Sequence, residues 1–216
     1  MTRPERNCVF WMITFLLTQG GKKSFPVSWK RADGFSSGKG WICVSCKKKQ
    51  IELLASGKLD NGMVFAFDHI KDKELIERKL ELLREVIPIS YHKVKLYVLC
   101  GYDWDGTWLP DFWAADIRDV FERIKILMQY GCLAYLMRYE AWLRAPETYK
   151  GMYINLSRWC NQPAQYVKKS LREFCTGQGE NSSSFRYLAA FEALHPEMSH
   201  YLDMKYEEVQ HGKIYV

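Results

Sequence analysis

Three short apolar runs, each bounded by turn residues and separated by amphipathic stretches, constrain this chain more than any other feature. Met63–Asp68 (MVFAFD), Val94–Cys100 (VKLYVLC) and Cys132–Met137 (CLAYLM) are too short for buried helices and rich in aliphatic and aromatic side chains, as buried strands are. Between the first two, Leu75, Ile76, Leu80, Leu83 and Val86 recur at helical spacing, with Asp72 as a candidate N-cap and Pro88 as the stop. Between the second and third, Ile117, Val120, Phe121, Ile124, Leu127 and Met128 mark another helix, ended at Gly131. Apolar strands alternating with amphipathic helices specify consecutive β/α units on a parallel sheet, because a parallel connection needs a long crossover. The expected elements are strands at 63–68, 94–100 and 132–137, with helices at about 73–86 and 116–130 on one face.

Downstream, Tyr149–Cys175 reads as helix in two pieces broken near Pro163, followed by a polar Gly/Ser stretch, a short helix at Phe185–Leu194 and a mixed tail. Residues 1–46 differ in kind. Beyond one apolar run, Cys8 to Leu17, they follow neither a strand nor a helix period. That run lacks a small-x-small cleavage site and is shorter than the roughly 20 apolar residues that span a bilayer, so neither export nor a membrane anchor is expected.

Charge divides the chain in the same place. The net charge is +6, but residues 1–50 hold ten Lys/Arg against Glu5 and Asp33, while the remaining 166 residues are slightly acidic. A basic, Trp-containing N-terminal segment is the pattern of a nucleic-acid-binding module, and the acidic balance of the rest argues against it. The seven cysteines are odd in number and dispersed, which fits a reducing, cytoplasmic setting better than a disulfide framework.

The strings FAFDHIKDK (Phe65–Lys73), KLYVLCGYD (Lys95–Asp103), AYLMRYE (Ala134–Glu140) and SRWCNQP (Ser157–Pro163), in this order, resemble a bacterial and phage-associated group of radical-SAM proteins. The resemblance covers residues 47–175 and implies an α/β fold: the C-terminal half of a partial parallel (β/α) barrel, truncated at its N-terminal half, with 176–216 as an extension. It implies reductive cleavage of S-adenosylmethionine by a [4Fe–4S] cluster as the family activity. It also implies cofactor-binding positions. Asp68 and His69 would face the ribose and methionyl parts, Gly101 would admit the adenine, Met137 would pack on it, and Arg138 would pair with a carboxylate. Each has a plainer alternative, as a turn cap, loop residue, strand-end glycine, core filler or solvated charge respectively. Arg158, Trp159, Asn161 and Gln162 are expected to anchor their helix against the barrel more than to touch a substrate.

Cluster chemistry needs three thiolates on three irons, in this family as C-x3-C-x2-C, with the fourth iron open. Cys43 and Cys46 form the one close pair, and Lys39 stands where the third cysteine would be. Two cysteines without histidines at ligand spacing do not make a zinc site either. No metal site, no catalytic residue and no resident cofactor are therefore expected of this chain alone, which reads as a truncated, catalytically defective member. A complementing polypeptide supplying the missing barrel half is the other expectation. Read from the third base of each codon, Trp11-Met12, Met12-Ile13 and Trp41-Ile42 each encode Asp, and the peptides this frame permits from Phe10 to Lys23 and from Gly34 to Val44 resemble what the family carries at its second and third strands, so residues 1 to about 46 are read as an out-of-frame segment.

Overall fold

A computed structural model describes residues 63–103 and 106–212. The expectations for residues 1–46, and for Cys8, Cys43 and Cys46, lie outside the described residues. Within them the chain is mixed α/β: three strands and eight α-helices, with short 3-10 turns at 70–72, 140–144 and 196–198.

Strands β1 (Met63–Ala66), β2 (Val94–Cys100) and β3 (Leu133–Arg138) form one parallel sheet in sequential order, with Met63 opposite Val94 and Val98 opposite Leu136. β1 is two residues shorter than its apolar run. The Phe67 N–H still donates to the Tyr97 carbonyl (2.8 Å), but His69 then turns the chain by accepting the Lys71 N–H on Nδ1 (3.0 Å). Alternation along β2 sorts its side chains: Val94, Leu96, Val98 and Cys100 are buried, whereas Lys95, Tyr97 and Leu99 on the opposite face are half-buried. With strands in sequential order, right-handed crossovers put both connecting helices against the first face.

Those helices are α1 (Lys73–Val86) and α2 (Pro110–Gln129). α1 buries Ile76, Leu80 and Leu83 and stops where Ile87, held extended ahead of Pro88, cannot continue it. Asp72 makes no side-chain cap here, contrary to expectation, because the 3-10 turn already supplies the entry. α2 begins six residues before the expected start. Pro110 occupies its first turn, where the missing N–H costs nothing, so it starts the helix instead of excluding it. The helix closes in a Schellman motif: Gly131 (φ +75°) donates to the Met128 carbonyl at 2.9 Å and Cys132 to the Leu127 carbonyl at 2.8 Å.

The expected two-piece helix is three: α3 (Glu147–Cys160), α4 (Pro163–Lys168) and α5 (Leu171–Thr176). The extra break is a capping box at Ser170 and Glu173, a start signal legible as S-x-x-E. α3 lies against β3 and against α6 (Ser183–Leu194). At that crossing Gly151 meets the Tyr187 ring, and a Cβ there would stand 2.0 Å from Tyr187 Cγ. α7 (Ser199–Leu202) and α8 (Tyr206–Gln210) follow, and Leu188, Phe191, Leu202, Met204 and Val209 join the same apolar core as the sheet. Arg172 ties the extension together, forking onto both Glu192 oxygens (2.6 Å each) and onto Asp203 (2.6 and 3.2 Å). No helix among the described residues is long and apolar enough to cross a membrane.

Candidate functional site

At the carboxyl ends of β1 and β2 lies a cleft of about 200 Å³, whose polar lining is Asp68, His69, Lys71, Tyr102, Asp103, Asp116, Asp119 and Arg123. In parallel β/α architectures this is the edge where ligands bind, because the connecting loops converge there on a rigid sheet.

Arg123 organises it. Its side chain is 2% exposed, and a buried guanidinium requires full hydrogen bonding. Nη1 donates to the carbonyls of Phe67 (3.1 Å), Asp68 (2.9 Å) and Leu99 (2.8 Å), and Nε to that of Asp119 (3.2 Å). One side chain thus holds the last peptides of β1 and β2 together. Asp116, about two helical turns nearer the start of α2 than Arg123, accepts the Gly101 N–H and the Tyr153 hydroxyl, both at 2.7 Å on Oδ2, and fixes the β2 exit to α3.

The electrostatics are lopsided, with several carboxyl groups around one deep cation. Burial pushes the carboxyls of Asp68, Asp116 and Asp119 above their ordinary value, and Arg123 offsets this only in part. Gly101 and Tyr153 also help to keep Asp116 ionised. In return, the Tyr153 phenol is pushed well up by its own burial and by Asp116, so it stays a donor. Burial lowers His69, with Lys71 and Arg123 adding to the effect, so the imidazole favours its neutral form. With Nδ1 accepting from Lys71, the ring proton of that form sits on Nε2. The cleft can therefore offer carboxyl acceptors and, from His69, an imidazole that carries no charge.

Of the five residues singled out in the sequence, Asp68 and His69 line the cleft; Gly101, Met137 and Arg138 do not. Gly101 has φ +71°, donates its N–H to Asp116, and faces Trp142, whose Cβ would lie 3.0 Å from a Cβ at that position. Its close approach is to a tryptophan of the chain itself. Met137 is half-buried on the same sheet face as Leu99, and Arg138 is exposed with its guanidinium 4.2 Å above the Trp142 ring. The cap expected of Asp68 falls to His69. Trp159 and Arg158 tie α3 to its helical neighbours, through the Lys169 carbonyl (2.9 Å) and the Ser184 hydroxyl (3.3 Å), and the anchor expected against the barrel strands comes from Asn161, which bonds Leu136.

Sequence reasoning missed Asp116, Asp119 and Arg123. Their spacing of three and four is one face of a helix, and Arg123 interrupts the apolar series from Val120 to Leu127. That pattern carried the signal.

An iron–sulfur cluster does not fit the thiols described. Cys100, Cys132, Cys160 and Cys175 are buried and absent from the cleft lining, and no group of three metal-ligating side chains occurs among the described residues. Burial drives the thiols of Cys100 and Cys160 far up and that of Cys175 to about 12, away from the thiolate a metal requires. No family model, curated protein or solved structure matches this chain.

Proposed function

We propose that this chain is the C-terminal half of a radical-SAM (β/α) barrel whose cofactor site is incomplete and which does not cleave S-adenosylmethionine alone. The observation that carries the reading is the sequential parallel order β1-β2-β3 with a polar cleft at the carboxyl ends, lined by Asp68 and His69. A doubly wound sheet reverses its strand order at the ligand site, whereas barrel strands run in sequence and keep their crossover helices on one face. The half-buried face of Tyr97, Leu99, Tyr135 and Met137 is then the barrel interior.

The cleft suits part of the ligand only. Pockets that enclose a drug-sized molecule run to roughly 300–1,000 Å³, so about 200 Å³ accepts a ribose or an amino-acid moiety but not the whole. In this reading Asp68 accepts hydroxyl or ammonium hydrogens, His69 contributes an uncharged donor, and Arg123 holds both loops at fixed separation. The remainder of the site, including the three cluster thiolates, belongs to the missing barrel half.

The experiment is anaerobic reconstitution of the full chain with iron and sulfide, followed by incubation with S-adenosylmethionine and a strong reductant. The expected result is no cluster absorption and no 5′-deoxyadenosine. Stoichiometric iron and sulfide together with 5′-deoxyadenosine would overturn the proposal.

A further inference from the structure

β3 forms one outer edge of the described sheet. In β3 the odd-numbered peptides face β2, as the bond from the Tyr139 N–H to the Cys100 carbonyl (2.8 Å) shows, so Ala134 and Leu136 turn their peptide groups outward. At a strand edge such groups are a template for another strand. Here they are covered. Asn161, at the end of α3, accepts the Leu136 N–H on Oδ1 (2.8 Å) and donates Nδ2 to the Leu136 carbonyl (3.0 Å). Its primary amide copies the donor and acceptor of a neighbouring strand. The buried Tyr166 hydroxyl on α4 stands beside the Ala134 peptide without the alignment of a full hydrogen bond.

Asn161 is held for this task. Its own N–H donates to the Ser157 carbonyl (2.9 Å), and Pro163 begins α4 two residues later. A backbone pinned on both sides leaves the amide few alternatives. Asparagine is apt because its side chain carries one carbonyl and one NH2 in a plane, matching a peptide's pair at Leu136.

We propose that Asn161 is the stop of this sheet: it takes the hydrogen bonds of a next strand and keeps the β3 edge from pairing with the β3 edge of a second copy of the chain. The inference goes beyond the functional reading and holds whether or not the chain is a radical-SAM half-barrel. The test uses the full chain and two variants, with amide hydrogen exchange at Leu136 and sedimentation velocity over a concentration series.

In Asn161→Ala, exchange at Leu136 is expected to rise roughly tenfold or more, the effect of one lost net hydrogen bond, while Leu96 in the sheet centre stays protected. On concentration the variant is expected to associate and Leu136 to regain protection, a change absent from the wild type. Asn161→Asp keeps the acceptor but faces the Leu136 carbonyl with a carboxylate. Its stability deficit relative to wild type is expected to shrink on acidification, because a protonated carboxyl donates again. Unchanged exchange in folded Asn161→Ala, or faster exchange in a variant that remains monomeric throughout, overturns the proposal. If Asn161→Ala does not fold, a pH-independent deficit in Asn161→Asp overturns it.

Discussion

Replacing Arg123 with methionine removes the group on which the cleft is built while keeping most of its volume. Three carbonyls, those of Phe67, Asp68 and Leu99, lose their side-chain donor, and Asp68, Asp116 and Asp119 lose their common cation. Breaking a buried charged network by removing one partner costs about 3–5 kcal/mol, to which methionine returns part through apolar packing, leaving about 3 kcal/mol. With a urea slope of about 2 kcal/mol per molar, the unfolding midpoint should fall by roughly 1.5 M. The pH dependence separates this cause from general damage. All three carboxyls have folded-state values raised above the unfolded ones, so their burial cost is absent below the ordinary carboxylate range and grows as pH rises through it. Without Arg123 the values rise further and the cost at neutral pH is larger. The gap between wild type and Arg123→Met should therefore widen from acid to neutral pH. A loss under about 1 kcal/mol, or a gap of the same size at pH 4 and 7, would refute the reasoning.

Gly101→Ala combines a left-handed backbone with contact against Trp142 and should cost about 2–4 kcal/mol in chemical denaturation. Gly151→Ala would drive a methyl into the Tyr187 ring and should lower the melting temperature, with the change recovered in part by Tyr187→Ala in the same chain. Cys100, Cys132, Cys160 and Cys175 are buried, so peptide mapping after a thiol reagent should find them unmodified in the native protein and fully modified in denaturant. Ser170→Ala removes the capping box and should cost about 1 kcal/mol by the same denaturation assay.

Much of the fold was legible because the sheet is parallel and central. A parallel strand covered by crossover helices must be apolar on the face they cover, so Val94, Leu96, Val98 and Cys100 of VKLYVLC announced a strand that matched β2 at both ends. Helix ends were less legible. Pro110 reads equally as a loop residue or a first-turn residue, and the choice depends on whether Trp113 and Ile117 have a core to enter, which is a tertiary fact. The site was half visible. Asp68 and His69, singled out through the resemblance, close the first apolar run, and both line the cleft at its carboxyl end. Arg123 was not visible, because its burial depends on three carbonyls contributed by segments 24 to 56 residues away. Gly101 was flagged for a ligand's approach, but the space its missing side chain leaves is taken by Trp142, a neighbour that sequence order does not reveal.

The nucleotide sequence of the gene tests the central claim most directly. If the chain is a half-barrel whose upstream strands and cluster cysteines were lost to a frame change, the frame read from the third base of codons 10 to 46 is open and continues upstream into codons for C-x3-C-x2-C. A stop codon within that frame, or an open upstream frame without the three cysteines, would contradict the account.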